Sequence, residues 1–275
     1  MTSAVGALWA RRNALRILVR RDLAVKYRQS VLGYLWSLIE PLGMSAIYWF
    51  VFGVLYSRDT SRHLGEAAGS YPLFLITGIF AWMWASSALT EATTALTGQA
   101  RLITTMNVPR QVFPIGRIVG RFAEYAAGLP ILVAIAVLYA ARGEVRPGWS
   151  MLALPLAVAV QAVLLAGLAL LLSAVNVLMR DVERFMRLVI RLLFYATPII
   201  YPLSLVRESG MPGWVKAAYE LNPLVGIFQL HHAVWYPGQF PDARLLAGTV
   251  AVSVLVLVTG WWAFRRLEPA VLKEL

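Results

Sequence analysis

The stretch Arg20–Leu42 reads RRDLAVKYRQSVLGYLWSLIEPL, and its two halves obey different rules. Arg20, Arg21, Asp22, Lys26 and Arg28 fall within its first nine positions. After them Glu40 is the one charge, and the chain stays apolar and aromatic through Tyr56. A basic, amphipathic run that feeds straight into a long hydrophobic span is a membrane-entry device. It lies along the charged membrane surface and then turns into the bilayer.

Working outward, the whole chain has the same solvent. Of 275 residues 59% are hydrophobic and 14% charged, against about a quarter charged in an ordinary soluble domain. A folded core cannot hide that much apolar surface from water. The formal net charge of +11 would suggest nucleic acid in a soluble protein, but here the charge follows the membrane. There is no cysteine, which excludes a disulfide framework, thiol catalysis and a cysteine metal site. The first apolar run follows the arginines and is too long for the core of a cleavable signal.

A bilayer core takes about 20 apolar residues per helix. Six spans satisfy this: 33–56, 72–96, 118–141, 151–178, 188–205 and 243–264. The fifth is short and carries Pro198 and Pro202. The segment 206–242 is apolar in patches but holds Arg207, Glu208, Lys216 and Glu220, and Pro212-Gly213, Asn222-Pro223 and Pro237-Gly238 break it. It reads as two short helices that dip into the membrane or cap it. Asn222 suits a helix cap and Pro223 the first turn. Cytoplasmic loops concentrate Lys and Arg. Most of the 25 such residues fall at 1–32, 97–121, 176–191 and 265–275. That bias gives six spans with both ends in the cytoplasm.

Within this frame particular side chains stand out. Arg12, Arg16 and Arg20 recur every four residues and form a basic stripe. Glu40-Pro41 places a carboxylate and a helix break inside the first span, and Glu124 lies in the third, where Arg121 or Arg117 can pair with it. Tyr48, Trp49, Trp82 and Trp84 offer flat faces that suit the weakly apolar C–H faces of sugar rings. The loop Gln99–Arg117 is apolar and basic at once, as a short helix facing a partner would be. Gln161 and Asn176 read as hydrogen-bonding groups between helices. Arg180, Arg184, Arg187 and Arg191 share one helical face. His231-His232 are adjacent, about 100° apart on a helix, and chelate poorly together. No phosphate-binding loop of the G-x-x-x-x-G-K-[ST] type occurs, and no Ser–His–acid cluster stands out, so the chain is not expected to hydrolyse anything itself.

Four blocks, in order, carry a resemblance that covers nearly the whole chain. They are RDLAVKYRQSVLGYLWSLIEPL (Arg21–Leu42), VPRQVFPI (Val108–Ile115), NVLMRDVERFMRLVIRLLFYATPIIYP (Asn176–Pro202) and LNPLVGIFQLHHAVW (Leu221–Trp235). Together they resemble the membrane subunit of type-2 ABC exporters of cell-surface polysaccharides, the family that exports O-antigen, galactan, teichoic acid and capsular chains. Met106–Val108 departs from that pattern in lacking an aromatic before the Pro-Arg pair.

The resemblance implies an all-α integral membrane protein with six transmembrane helices. An N-terminal amphipathic interface helix would act as a gate within 1–32, and a coupling helix would lie within 97–117. Two short re-entrant gate helices on the outer side, within 206–242, would precede the last span. It implies a homodimer with two copies of a separate ATPase subunit, which would bind ATP and Mg, so that this chain holds no cofactor or metal of its own. The channel between the two copies would be lined by the first, second and fifth spans, through Tyr48, Trp49, Phe52, Phe80, Trp82, Trp84, Tyr195 and Tyr201. Arg12, Arg16, Arg20, Arg21 and Arg28 would attract the pyrophosphate of a lipid-linked glycan. Asp22, Tyr27, Met106, Val108, Pro109, Arg110 and Phe113 would meet the ATPase. The expected partners are therefore the ATPase, the glycan and membrane lipids, with no nucleic acid, in the cytoplasmic membrane. An arginine-rich, Ala/Leu/Val/Gly-rich composition points to a GC-rich genome and tilts the glycan toward a galactan. A drug or small-lipid exporter of the same superfamily, and an integral-membrane glycosyl or acyl transferase, are the alternative readings.

Overall fold

In lipid the backbone has no water to bond to, so each apolar run must close its own hydrogen bonds as helix. The computed structural model, which describes residues 12–28, 30–55, 67, 69–105, 109–145 and 148–274, has helices as its regular elements, with no strand among those residues. The helices are α1 (Arg12–Tyr27), α2 (Trp36–Tyr48), α3 (Tyr71–Thr93), α4 (Ala100–Thr105), α5 (Val112–Ala141), α6 (Ala153–Leu178), α7 (Asp181–Tyr195), α8 (Leu203–Glu208), α9 (Gly213–Glu220), α10 (Pro223–Ala233) and α11 (Ala243–Glu274). A 3₁₀ turn, Gly33–Leu35, precedes α2, and a wider π-helical segment, Trp49–Leu55, continues it. Another 3₁₀ turn, Trp149–Leu152, leads into α6. Gly33 has φ of 47°, a conformation open to glycine at little cost. It turns the chain from α1 toward α2, and its amide donates to Ser30 Oγ at 3.0 Å.

Five stretches are long and apolar enough to cross a bilayer: Gly33–Leu55, Tyr71–Thr93, Val112–Ala141, Trp149–Leu178 and Ala243–Glu274. The stretch 188–205, expected as the fifth of six spans, is not one helix. α7 ends at Tyr195 and the chain runs irregularly to Pro202 before α8 begins. Pro198 and Pro202 remove two helix donors, so nearby carbonyls must find other partners. They do. Tyr71 Oη donates to Ile200 O at 2.9 Å, Asn222 Nδ2 to Ala196 O at 3.3 Å, and Tyr201 Oη to Tyr195 O at 2.6 Å. Gly78 allows the approach, since a Cβ there would lie 2.5 Å from Ile199 O.

α3 is the centre of the bundle, buried along most of its length against α5, α6 and α10. α10 is buried from Leu224 to Ala233, and Asn222 caps it by accepting from Leu224 N at 3.1 Å. α6 and α11 cross in contact of their backbones. A Cβ on Gly260 would sit 2.1 Å from Gly167 O, and one on Gly167 would sit 2.4 Å from Val256 O. Without a hydrophobic force between helices in lipid, such small-residue seams are what hold them. One end of the bundle has its own apolar cluster, in which Leu96, Ile103, Phe113, Val177, Phe264 and Val271 meet, with Leu18 packed against it. The N-terminal helix α1 and the far end of α11 therefore share one end of the molecule.

Several boundaries move from those expected. α5 begins at Val112, so 112–117 belong to it and the loop helix shrinks to α4. Pro109 cannot continue α4, whereas Pro114 is tolerated in the first turn of α5. α11 runs through Pro269 to Glu274, ten residues past the apolar run. In 206–242 the helices are α9 and α10, with α8 starting inside the expected fifth span.

At the opposite end, Arg207 ties three elements. Its guanidinium bonds Glu220 at 2.7 Å and Asp242 at 2.8 Å, and its carbonyl accepts from Lys216 Nζ at 2.6 Å. Asp242 also accepts from Leu245 N at 2.8 Å. That amide first, and Arg207 second, hold the Asp242 carboxyl below its ordinary value of 3.8. The tie therefore contributes above the ordinary value and is lost as pH falls through the depressed one. Asp242→Ala removes the cap as well as the ion partner and is expected to destabilise by about 1 kcal/mol. Thermal melts in detergent check this, and Asp242→Asn, which keeps the cap, is expected to lose less.

Candidate functional site

At the end shared by α1 and α11, charges that are sparse elsewhere in the bundle converge. Asp22 and Lys26 stand one turn apart on α1. Arg117, Arg121 and Glu124 stand at three- and four-residue steps on α5, so both sets line facing helix surfaces. Lys26 Nζ bonds Glu124 Oε1 at 2.8 Å, and Arg121 Nη1 bonds Glu124 Oε2 at 2.6 Å. Arg121 also pairs with Glu91 at the end of α3. Arg117 reaches Asp22 at 3.1 Å, and Arg21 reaches Asp22 at 2.8 Å and Gln99 Oε1 at 2.9 Å. Glu124 is 9% exposed, so both its oxygens are spent on cations, as a carboxylate in a low dielectric requires. Partial burial lowers the Lys26 ammonium from its ordinary value, against the opposing pull of Glu124. This belt straps the amphipathic helix to the bundle. Beside it opens a cleft bounded by Trp36, Glu40, Met83, Trp84, Arg121 and Tyr125.

The residues singled out from sequence fall into distinct settings. Arg16, Arg20, Arg21 and Arg28 are exposed along α1 and after it. The side chains of Arg12 and Tyr27, and residues Met106 and Val108 altogether, lie outside the described part of the structure. Asp22 is engaged within the chain. Arg110 reaches Glu268 of α11 at 3.5 Å, beside the half-exposed Pro109. Phe113 is 2% exposed and packs in the apolar cluster at this end of the bundle.

The aromatics divide in the same way. Tyr48 packs on Phe52 and on Phe194, with centroids 6.3 and 5.6 Å apart. Phe194 in turn meets Trp82 edge-on at 5.6 Å, so α2, α7 and α3 are joined by one run of rings. Trp84 is buried against Tyr125 of α5 and donates to Ile118 O at 3.3 Å. Phe80 is buried over Gly128, where a Cβ would meet its ring at 2.2 Å. These two hold α3 to α5. Trp49 and Tyr195 are exposed at 43% and 60%, and Tyr201 is half-buried beside Tyr219, 3.2 Å between hydroxyls. Phe50, at 53%, is likewise exposed.

His231 and His232 point to different neighbours. His231 Nε2 is 2.8 Å from Gln161 Oε1, and Gln161 Nε2 also donates to Ala81 O at 3.0 Å. His232 stacks on Phe74, ring centroids 3.7 Å apart. Among the described residues no cluster of three metal-ligating side chains occurs. Asn176 Oδ1 accepts from Glu183 N at 3.1 Å and starts α7. The belt itself was missed in the sequence, apart from the Arg121–Glu124 pair. Its partners on α1 and α3 are 98 and 30 residues from their mates. The one signal is that the first three spans each carry a single acid, Glu40, Glu91 and Glu124.

Comparison with known proteins gives a consistent result. The profile of the ABC-2 type transporter family matches residues 13–234. The O-antigen export system permease protein RfbA of Myxococcus xanthus is 29% identical over 257 residues, 94% of this chain and 93% of that protein. RfbA of Klebsiella pneumoniae is 31% identical over 254 residues, 92% of each chain. The polysialic acid transport protein KpsM of Escherichia coli is more distant, 23% identical over 93% of each chain.

Proposed function

The chain belongs to the ABC-2 type transporter family, and we propose that it is the membrane subunit of an ATP-driven exporter of a cell-surface polysaccharide. The observation that carries this reading is end-to-end similarity to two O-antigen export permeases at 29% and 31% identity. The chain is a multi-pass membrane protein and a transport subunit. ATP hydrolysis falls to a separate ATPase. In this reading two copies of the chain form the path in the cytoplasmic membrane with two ATPase copies below, and both termini are cytoplasmic.

The roles divide along the settings described above. α1 lies on the inner surface and gates lateral entry, with Arg16, Arg20, Arg21 and Arg28 facing the phosphates of a lipid-linked glycan. α4 and the Pro109–Arg110 corner meet the ATPase. The Arg110–Glu268 contact gives that corner a link to the end of α11, and the charge belt links α1 to α3 and α5. A push from the ATPase then reaches the gate helix and the bundle together. Along the path, rings that offer many weak contacts let a polymer slide. Tyr48 and Trp82 support that wall from behind, while Trp49 and Tyr195 are its exposed members. A galactan is the glycan that composition favours.

The test is depletion of the protein in its own cell, followed by identification of the lipid-linked glycan that accumulates inside. No accumulation sinks the exporter reading. A second expectation concerns the wall. Trp49→Ala and Tyr195→Ala are each expected to lower export about two- to tenfold, the value of one aromatic contact, with the subunit still assembled with its ATPase. Unchanged export in the double variant removes these rings from the path.

A further inference from the structure

α7 and its N-cap residue, Arg180, carry four arginines that the belt and the apolar core leave unused. Arg180, Arg184, Arg187 and Arg191 are four, three and four residues apart, so they form one narrow stripe along the helix. All four are exposed, and among the described residues only Arg187 of the four is ion-paired, to Glu183. Met186, on the far side of α7 from the stripe, is buried in the bundle, and so is Phe194, which follows Arg187 by two turns at the edge of the stripe.

One contact gives the depth of the stripe. Phe194 packs on Trp82, and Trp82 stands at the middle of α3, a span running from Tyr71 to Thr93. Phe194 therefore lies near the middle of the apolar layer. Arg191 precedes it by three residues and Arg187 by seven, which is at most about 4.5 and 10 Å along the axis at any tilt. Half the hydrocarbon thickness is about 15 Å. Two exposed arginines are thus set at hydrocarbon depth. A guanidinium cannot face acyl chains there without large cost, so this side of α7 faces water or an anion.

We propose that the α7 stripe is an anion track that binds the diphosphate head of the lipid-linked glycan and takes it from the inner surface to mid-membrane. The proposal rests on the exporter reading above. The chemistry fits on both sides of the stripe. Guanidinium forks bind phosphate oxygens in pairs. Beside them Phe185, Leu188 and Leu192 are exposed at 63%, 54% and 58%, an apolar strip for the hydrocarbon tail of the same molecule. An ordinary anionic phospholipid keeps its head at the interface, whereas this stripe continues past Arg184 to the level of Phe194.

The chain has no cysteine, so single thiols report directly. Arg191→Cys, assembled with the ATPase in phosphatidylcholine nanodiscs, is expected to react with a cationic methanethiosulfonate within about tenfold of the rate of the exposed control Arg142→Cys, because a thiol reacts as thiolate in water and not in lipid. Farnesyl diphosphate is expected to slow that reaction on the order of fivefold, while farnesol or added phosphatidylglycerol does not. In the otherwise native complex, Arg187→Gln with Arg191→Gln should weaken farnesyl diphosphate binding about tenfold, and Arg187→Lys with Arg191→Lys, which keeps the charge but not the fork, should weaken it less. An inert Arg191→Cys beside a reactive Arg180→Cys overturns the track. Equal protection by phosphatidylglycerol overturns the diphosphate and makes the stripe a headgroup site. Unchanged binding in the double Gln variant does the same. A failed exporter reading shows elsewhere, as depletion without glycan accumulation, and leaves the labelling rates where they are.

Discussion

Gly260→Leu is expected to leave little or no folded protein. A Cβ at this position would lie 2.1 Å from the carbonyl oxygen of Gly167 on α6, and the obstacle is backbone, which cannot rotate away. Either the α6–α11 seam opens along its length or one helix distorts. Overpacking of an ordinary core costs about 1–3 kcal/mol, and a clash with backbone exceeds that range. Stability of a domain is only about 5–15 kcal/mol, so the remaining margin is small. The control is on the same helix. Gly248 has nothing within 4 Å of its Cβ position, and Gly248→Ala is expected to be neutral or to stabilise by up to about 1 kcal/mol. Monodispersity and melting temperature in detergent read both. A Gly260→Leu protein that melts like the parent disproves the close crossing.

Glu124→Gln is expected to release α1. The substitution keeps the shape of the side chain but removes the charge that both Lys26 and Arg121 meet. Breaking a fully buried pair costs about 3–5 kcal/mol. Lys26 is 37% exposed along its side chain, so solvent screening lowers the expected cost to about 1–3 kcal/mol. The loss is local. Trypsin cleavage after Arg20, Arg21 and Lys26 should quicken on the order of tenfold, while the melt of the remaining bundle changes little. Arg117→Gln, which breaks only the tie to Asp22, should have a smaller effect. A double-mutant cycle of Lys26→Met and Glu124→Gln isolates the pair. Additive single effects would show that the belt is not a unit and that α1 is held by its apolar face alone. In the exporter reading a loose α1 also uncouples gate from bundle, so export should fall in step with the proteolysis.

The fold was legible wherever one local pattern sufficed. Apolar length placed the spans near 33–56, 72–96, 118–141, 151–178 and 243–264. Asn222-Pro223 marks the start of α10, and Gln161 and Asn176 read as hydrogen-bonding groups between helices, where they bond Ala81 O and His231, and Glu183 N. The Pro198–Pro202 segment warned of a broken element, though not that α7 would end at Tyr195. The aromatics were where sequence said least. Trp82, Trp84 and Phe80 look alike beside Tyr48 and Trp49 in a list of rings near mid-span. Whether a ring faces a neighbour or a path depends on helix rotation. Rotation in turn depends on Gly128 admitting Phe80 and on Ile118 O accepting from Trp84.

By itself the sequence determined that the chain is helical and lives in a membrane, because about 20 consecutive apolar residues with few charges admit no other solvent and no other backbone solution. It also determined the family, through ordered blocks spread over the chain. Only the tertiary structure decided what each charge does. Glu124, Lys26, Arg121 and Glu91 come from three helices and become a strap only when packed together. The four α7 arginines, legible from the start as one helical face, acquired a depth only when Phe194 was found against Trp82. Sequence fixes which residues share a helix face, because that follows from 3.6 residues per turn. Which face meets a neighbour, and at what level in the bilayer, follows from contacts between elements far apart in the chain.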